Sequence, residues 1–179
     1  MNSIETKRLI LRPFTPTDLD RFAELSSDAG FMSFSGRGPY SREEAAAFLD
    51  RMLARQAAGH PSQFAVISRA DPQMLGYCGF FAQTVDEVEE LEIAYRLHPQ
   101  YWGHGFATEA ARAVRDYAIR NLRVPRVISL IVPENHRSRR VAEKNGMRLE
   151  KETVFRGFKV QVFALHRAEA ERQALHGGA

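Results

Sequence analysis

The segment from Leu97 to Thr108 has the residue types and spacing of an anion-binding turn. It reads Leu-His-Pro-Gln-Tyr-Trp-Gly-His-Gly-Phe-Ala-Thr, with glycines at 103 and 105 ahead of a predicted helix. Backbone N–H groups in the first turn of a helix lack partners within the helix, and the helix dipole adds positive charge there. Glycines let such a loop curl so that several N–H groups converge on one anion. The turn therefore predicts a phosphate or pyrophosphate site, although a plain helix entry has the same composition.

Two other phosphate-binding motifs are excluded by their spacing. A Walker loop requires Gly-Lys followed by Ser or Thr, and this sequence has no Gly-Lys pair. A dinucleotide fingerprint requires a glycine three residues beyond Gly105, where the chain has Thr108.

The elements that must position this turn are predicted from hydrophobic periodicity. Helices are predicted over 16–27, from Ser41 through a stripe ending at Leu53, over 105–121 and over 135–144, and Ser41 with Glu44 forms a capping box. Apolar or alternating stretches predict seven strands, over residues 4–14, 63–68, 74–85, 90–97, 126–132, 147–155 and 158–167. Glycines 76 and 79 indicate a bend or a bulge. This order predicts one α+β domain over residues 1–179, with roughly the last 12 residues frayed. The loop over 31–39 holds three large apolar residues, which form either a satellite core or a groove wall.

Composition and charge exclude several classes of protein. The formal charge is +3, but the basic residues are scattered apart from one run over 137–144, so a nucleic-acid partner is not expected. No stretch approaches the ~18–20 apolar residues of a membrane span, and the first ten residues lack a secretion signal. The single cysteine, Cys78, cannot form an intramolecular disulfide, which predicts a reducing compartment, the cytoplasm. The six histidines have no metal-ligand spacing, so no metal site is predicted.

Four motifs in chain order resemble the GNAT superfamily of N-acetyltransferases, in the branch that includes ribosomal-protein N-terminal acetyltransferases. The resemblance covers most of the chain and implies a GNAT fold, a mixed and mostly antiparallel sheet of about seven strands flanked by about four helices. That sheet would be splayed at the cofactor site. Met147 departs from the phenylalanine that is usual after the last motif. The motifs are Glu5-Thr-Lys-Arg-Leu-Ile-Leu-Arg-Pro13, Glu92-Ile-Ala-Tyr-Arg-Leu-His-Pro99 with Gln100-x-x-Gly103-x-Gly105, Trp102-Gly-His-Gly-Phe-Ala-Thr-Glu-Ala110, and Asn135-x-x-Ser138 with Glu143-Lys-Asn-Gly146.

The resemblance implies acetyl-coenzyme A as co-substrate and assigns the residues that hold it. N–H groups of the turn would bind the pyrophosphate, and residues 93–97 would lie beside the pantetheine arm, with an N–H near Ala94 or Tyr95 polarising the thioester carbonyl. Asn135 would hydrogen-bond the arm, cap its own helix, or do both. One or two cations of the basic run would meet the 3′-phosphate. The full set is Ile93, Ala94, Tyr95, Leu97, Gln100, Trp102, Gly103, His104, Gly105, Phe106, Ala107, Thr108, Asn135 and Ser138.

Two side chains are catalytic candidates under this resemblance. Glu92 has the acid position of the strand that the family places beside the acceptor, and it would deprotonate the amine directly or through a water. A solvated strand face explains Glu92 equally, since alternation places it with Glu90 and opposite Leu91 and Ile93. Ser138 has the position of a serine that in this branch reaches the sulfur. It would protonate or hydrogen-bond the thiolate, or else lie on the helix surface.

The expected reaction is direct transfer of an acetyl group to a primary amine, either a protein N-terminal α-amine or a small-molecule amine. The acidic segment over 86–92 would suit a cationic acceptor or be ordinary solvated surface. The alternative is a non-catalytic acyl-coenzyme A binding or regulatory module with the same fold. No membrane partner is expected, and both a monomer and a homodimer are compatible with the sequence.

Overall fold

The computed structural model describes residues 2–176, which form one eight-stranded sheet and five α-helices. Within these residues no helix is long and apolar enough to cross a bilayer. The strands are β1 (Ile4–Glu5), β2 (Leu9–Pro13), β3 (Gln63–Ser68), β4 (Met74–Val85), β5 (Val88–Leu97), β6 (Arg126–Ile131), β7 (Arg148–Phe155) and β8 (Phe158–His166). The helices are α1 (Leu19–Ser26), α2 (Arg42–Ala57), α3 (Phe106–Tyr117), α4 (His136–Lys144) and α5 (Arg167–His176).

The sheet has the order β1-β2-β3-β4-β5-β6-β8-β7. Every neighbouring pair is antiparallel except β5 and β6, which are parallel and are connected through α3. The predicted bulge is confirmed, because the β3–β4 register shifts between Val66 and Ile67, opposite Gly76. A Cβ on Gly76 would lie 2.0 Å from the Arg96 carbonyl oxygen, so only glycine allows β4 and β5 to approach this closely.

Hydrophobic cores cover both faces of the sheet. Phe64 and Val66 of β3 face the core under α3 and α4, whereas Ala65 and Ile67 face the core under α1 and α2. A smaller cluster around Ile128 continues the second face toward β8. Alternating residues of the central strands are therefore buried on both sides, and Cys78 lies fully buried on the α3 face.

The element boundaries differ from the predictions at three places. The first predicted strand is divided into β1 and β2, because the Thr6 N–H turns back to the Leu9 carbonyl, and this division gives eight strands instead of seven. The third helix changes to a wider π-helical turn over Ala118–Leu122. Where a frayed end is expected, α5 adds a fifth helix, since Ala170 packs on the core and Arg167 pairs with Glu171 one turn later. Residues 177–179 lie outside the described residues.

The capping box at the start of α2 is confirmed. The Ser41 hydroxyl accepts from the Glu44 N–H (3.2 Å), and the Glu44 carboxylate accepts from the Ser41 N–H (2.9 Å). The predicted helix boundary is set by this local exchange of hydrogen bonds.

Candidate active site

The predicted anion-binding turn joins the end of β5 to the start of α3. Gly103 and Gly105 both have left-handed backbone angles (φ +81° and +80°), and Gly105 is the N-cap of α3. The first bond within the helix runs from the Glu109 N–H to the Gly105 carbonyl (3.0 Å), so the N–H groups of residues 106–108 precede it. A Cβ on Gly103 would meet no atom within 4 Å, so the turn opens onto free space. Its donors and its space fit a pyrophosphate group.

The turn is held in shape by the segment between β1 and β2. The Arg8 guanidinium donates to the His104 carbonyl (2.9 Å) and to Glu109 Oε2 (2.7 Å), and it lies 4.5 Å from the centre of the Phe106 ring. Glu109 Oε1 accepts from the Thr6 hydroxyl (2.7 Å) and from the Arg8 N–H (2.8 Å). Burial raises the pKa of Glu109, but these hydrogen bonds outweigh it and hold the pKa below its ordinary value. The first and third sequence motifs therefore contact each other at the turn.

Beside the turn, β5 and β6 share little main-chain pairing, and we call the region between them the β5–β6 cleft. One register pair in the described chain, Glu92 with Ile128, joins the two strands, and β5 continues beyond this pair to Leu97. The Ser129 hydroxyl donates to the Ile93 carbonyl (2.7 Å), so a side-chain hydrogen bond replaces a main-chain one where the strands separate. Strands that diverge in this way leave main-chain donors and acceptors of β5 facing the cleft.

The alternation of β5 identifies which main-chain groups face the cleft. The His98 N–H donates to the Leu75 carbonyl beside β4 (2.9 Å), whereas the Ile93 carbonyl faces β6. Because main-chain groups alternate in direction along a strand, the N–H of Tyr95 faces the cleft and that of Ala94 faces β4. Of the two predicted donors, Tyr95 has the orientation that a ligand in the cleft requires.

Glu92 lies at the narrow end of the β5–β6 cleft, on the sheet face that carries α1 and α2. Its side chain is buried, with 9% of the residue's surface exposed. Gln83 Nε2 donates to its Oε2 atom (2.7 Å), and the backbone N–H of Leu130 is a second donor. Burial raises the pKa of Glu92 above the ordinary carboxyl value, although both donors and the charge of Arg156 oppose this rise. A carboxylate whose pKa is raised by burial holds a proton more strongly than an exposed one, which suits a general base beside a cleft.

The second catalytic candidate, Ser138, lies in the first turn of α4 on the other side of the cleft. Its N–H donates to Asn135 Oδ1 (3.1 Å), so Asn135 is the N-cap of α4. Its carbonyl accepts from the Tyr95 hydroxyl (2.7 Å), which links α4 directly to β5. Burial raises the pKa of Tyr95, so this hydroxyl stays protonated and is committed to a structural bond.

Comparison with known proteins places the chain in a family. Residues 8–148 match the acetyltransferase (GNAT) domain family. The chain belongs to the GNAT family. It is an N-acetyltransferase, and GNAT enzymes use acetyl-coenzyme A as the acetyl donor.

Relatives agree with this assignment over nearly the whole chain. The chain is 33% identical to the uncharacterized N-acetyltransferase YnaD of Bacillus subtilis, over 82% of this chain and 83% of that protein. A GNAT acetyltransferase from Bacillus anthracis superposes with a TM-score of 0.79 at 28% identity, covering 93% of this chain and 99% of that one. The ribosomal L7/L12 α-N-protein acetyltransferase RimL, solved with coenzyme A, has a TM-score of 0.76 at 17% identity over 92% and 97% of the two chains. At that identity RimL shows the fold alone.

The GNAT motif that ends in Gly146 joins α4 to α3. Arg112 and Arg115 on α3 donate to the carbonyls of Lys144 (2.8 Å) and Asn145 (2.9 Å), and the Asn145 amide donates back to the Ala111 carbonyl (3.3 Å). The carbonyls at the end of a helix need such partners because the helix itself supplies none. These bonds set α4, and with it Ser138, at a fixed position relative to the anion-binding turn.

The basic run on α4 has one member placed against the turn. Arg137 lies 4.5 Å from the centre of the Trp102 ring, and the Trp102 indole donates to the Leu97 carbonyl (2.7 Å). Arginine stacks on indole through a cation–π attraction, so Arg137 lies directly over the turn. The sequence does not distinguish among the cations of this run, whereas the folded chain brings Arg137 into contact with Trp102 of the turn.

The loop between α1 and α2 resolves into a core part and an exposed part. Phe31 and Met32 are buried under α1 and α2, whereas Phe34 is about half exposed (52%). Arg96 on β5 donates to the Phe31 carbonyl (3.2 Å), and a Cβ on Gly36 would come within 3.0 Å of the Phe158 ring. The loop therefore spans from β5 to the β7–β8 turn, on the same face of the sheet as Glu92.

Two residues near Glu92, one in contact with it and one acting through its charge, have no counterpart in the sequence predictions. Gln83 lies nine residues before Glu92, and Arg156 lies in the β7–β8 turn, where its guanidinium donates to Gln83 Oε1 (3.1 Å). Neither belongs to a family motif, and only the folded sheet brings them together.

Proposed function

We propose that this chain transfers an acetyl group from acetyl-coenzyme A directly to a primary amine, with Glu92 as the general base. The observation that carries the proposal is the β5–β6 cleft, which has a buried carboxylate at its narrow end and the anion-binding turn at its wide end. About 17 Å of strand separates Glu92 from Leu97, at ~3.3 Å per residue. An extended donor molecule lying along this strand would reach from the turn to the carboxylate.

The residues of the cleft fit the donor by chemistry. The N–H groups of residues 106–108 and the Arg137 guanidinium would bind phosphate oxygens, and the Tyr95 N–H would donate to the carbonyl that gains negative charge. Acetyl-coenzyme A supplies the acetyl group as an activated thioester. The protein supplies position and hydrogen bonds, which account for most of the rate in a reaction of this type.

Glu92 would act on the attacking amine, and Ser138 would act on the leaving thiolate. Glu92, with its raised pKa, takes the proton that the amine loses as it attacks. Ser138 is half-buried at the start of α4, and its hydroxyl would hydrogen-bond the leaving sulfur. The Tyr95 hydroxyl is not available for this role, because it donates to the Ser138 carbonyl.

The acceptor that these residues favour is an α-amine rather than a polycation. Two of the five acids over 86–92 have cationic partners: Asp86 pairs with Lys151 (2.7 Å), and Glu90 pairs with Arg126 (3.0 Å). These pairs reduce the negative charge that a polyamine would meet. An α-amino group titrates near ~8, against ~10.4 for lysine, so it reaches the reactive neutral form more readily. We therefore place the chain with the ribosomal-protein N-terminal acetyltransferase branch that its motifs resemble, acting on a peptide N-terminus or a small α-amine.

A thiol-release assay tests this proposal. With acetyl-coenzyme A as donor, we expect peptide N-termini to support turnover better than polyamines or aminoglycosides. Glu92→Gln should lower kcat about 10²-fold or more, with the KM for acetyl-coenzyme A unchanged. The matched control is Glu89→Gln, an exposed acid of the same strand, which should behave as wild type. Full turnover by Glu92→Gln would remove the base assignment, and preference for a polyamine would overturn the acceptor class.

A further inference from the structure

Glu92 is the end of a chain of hydrogen bonds that begins outside the cleft. Gln83 Nε2 donates to Glu92 Oε2 (2.7 Å), and Gln83 Oε1 accepts from the Arg156 guanidinium (3.1 Å). The three residues come from β4, from β5 and from the turn between β7 and β8. These hydrogen bonds therefore connect the candidate base to a separate part of the sheet.

The central amide makes this connection directional. A glutamine side chain donates through its nitrogen and accepts through its oxygen, whereas a guanidinium can only donate. With Arg156 in place, the Gln83 oxygen must face the guanidinium, and its NH₂ group must face Glu92. An ionised carboxylate only accepts, so Glu92 requires the same amide orientation. Arg156 and Glu92 together fix the Gln83 amide, and loss of Arg156 removes one of its two hydrogen-bond partners.

The backbone of Arg156 is unusual for its residue type. Arg156 and Gly157 form the β7–β8 turn with φ of +50° and +85°, a pair of left-handed angles that favours Asn-Gly or Gly-Gly. Arginine is held there although its backbone disfavours the conformation, and its side chain lies 4.9 Å from the centre of the Phe155 ring. Disfavoured backbone conformations of this kind are enriched at functional sites.

We infer that Gln83 and Arg156 are positioning residues for Glu92, which together with the Leu130 N–H hold its carboxylate in the orientation that receives the proton of the acceptor amine. This inference rests on the proposed role of Glu92 as base. Among described charged and titratable groups, Arg156 acts on the carboxylate of Glu92 as a cation, and Tyr77 and Tyr95 are the phenols that sense its charge. Both phenols stay neutral, so a change in the pH dependence of turnover after substitution of Arg156 reports on Glu92.

Arg156→Gly is the decisive variant, because glycine suits the left-handed turn and the substitution removes the side chain that donates to Gln83. We expect unchanged or higher thermal stability and an unchanged KM for acetyl-coenzyme A. We expect kcat to fall by about tenfold, because correct orientation is part of what a general base contributes to the rate. The acid limb of kcat against pH should move to higher pH, since a donor that stabilises the ionised carboxylate is lost. Gln83→Leu should give the same shift, and Arg156→Lys, which keeps a cationic donor, should recover part of the rate.

Lys159→Ala is the matched control, an exposed cation beside the same turn, and it should leave both rate and pH profile unchanged. The assay uses acetyl-coenzyme A and the best acceptor of the peptide and amine panel above. If Glu92→Gln lowers turnover while Arg156→Gly and Gln83→Leu keep the wild-type kcat and acid limb, the positioning role is wrong and the base assignment stands. If Glu92→Gln keeps full turnover, the base assignment itself fails. In the Glu92→Gln background, Arg156→Gly should have no further effect on kcat, and an additional loss would show that Arg156 acts elsewhere.

Discussion

Substitution of Gly103 by alanine tests whether the turn before α3 binds an anion or merely starts a helix. Gly103 has φ +81°, a conformation that costs an L-residue roughly 1–2 kcal/mol. Gly59, in the turn after α2, offers a matched position with φ +73°. At both glycines a new Cβ would meet no atom within 4 Å, so neither substitution creates a clash. The two variants therefore carry the same backbone cost and differ in location alone.

The size of the effect depends on whether this conformational energy is lost from folding or from binding of the donor. If the turn keeps its shape, ~1–2 kcal/mol is lost from folding, which lowers the Tm of a domain of this length by about 2–8 °C. If the turn relaxes in the free enzyme, the same energy is paid when the donor binds, and the KM for acetyl-coenzyme A rises by about 5–30-fold. In Gly59→Ala the cost has no link to binding, so we expect a lower Tm and a wild-type KM.

We expect Gly103→Ala to raise the KM for acetyl-coenzyme A within that range, with a smaller loss of Tm than Gly59→Ala. Initial rates at varied acetyl-coenzyme A, together with thermal unfolding of both variants, measure the two quantities. Equal losses of Tm with a wild-type KM in both variants would refute the anion-binding role and leave an ordinary helix entry.

Two further predictions concern Glu92 and Glu109. Because burial raises the folded-state pKa of Glu92 above its unfolded value of ~4.3, the folded state binds more protons between these two values, and stability falls as pH rises through that window. Glu92→Gln should therefore have a higher Tm than wild type near pH 8 and lose this advantage toward pH 4; a Tm difference that does not vary with pH would contradict this account. Glu109→Ala removes the carboxylate that accepts from the Thr6 hydroxyl and from the backbone and side chain of Arg8, so we expect a loss of about 1–3 kcal/mol in unfolding free energy and a raised KM for acetyl-coenzyme A. Glu143→Ala, an exposed acid on α4, should change neither quantity, and a Glu109→Ala variant equal to it would show that the contact is dispensable.

Features determined by neighbouring residues are predicted well from the sequence. The Ser41–Glu44 capping box, the bulge at Gly76 and the glycine turn each depend on a few consecutive residues and their backbone preferences. The helix at 167–176 is missed because its stability comes from packing of Ala170 on a core formed by distant strands.

The environment of Glu92 is predicted less well, because it depends on tertiary packing. Alternation places Glu92 opposite the apolar residues Leu91 and Ile93, which suggests a solvated face. That face is instead covered by α1, α2 and the cluster around Ile128, so the same alternation puts a carboxylate into a buried site. The contact between Gln83 and Arg156 spans 73 residues of sequence, and no local pattern encodes it.

The solitary cysteine has a practical consequence. Cys78 is fully buried in the centre of β4, and burial raises the pKa of its thiol, so it is neither accessible nor ionised in the folded chain. A thiol-reactive dye should therefore leave native protein unlabelled and react once per molecule when the sheet opens. The rate of that labelling therefore measures how often the central strands open. A molecule that binds the native fold lowers the labelling rate, so candidate donors and acceptors can be screened before any turnover is measured.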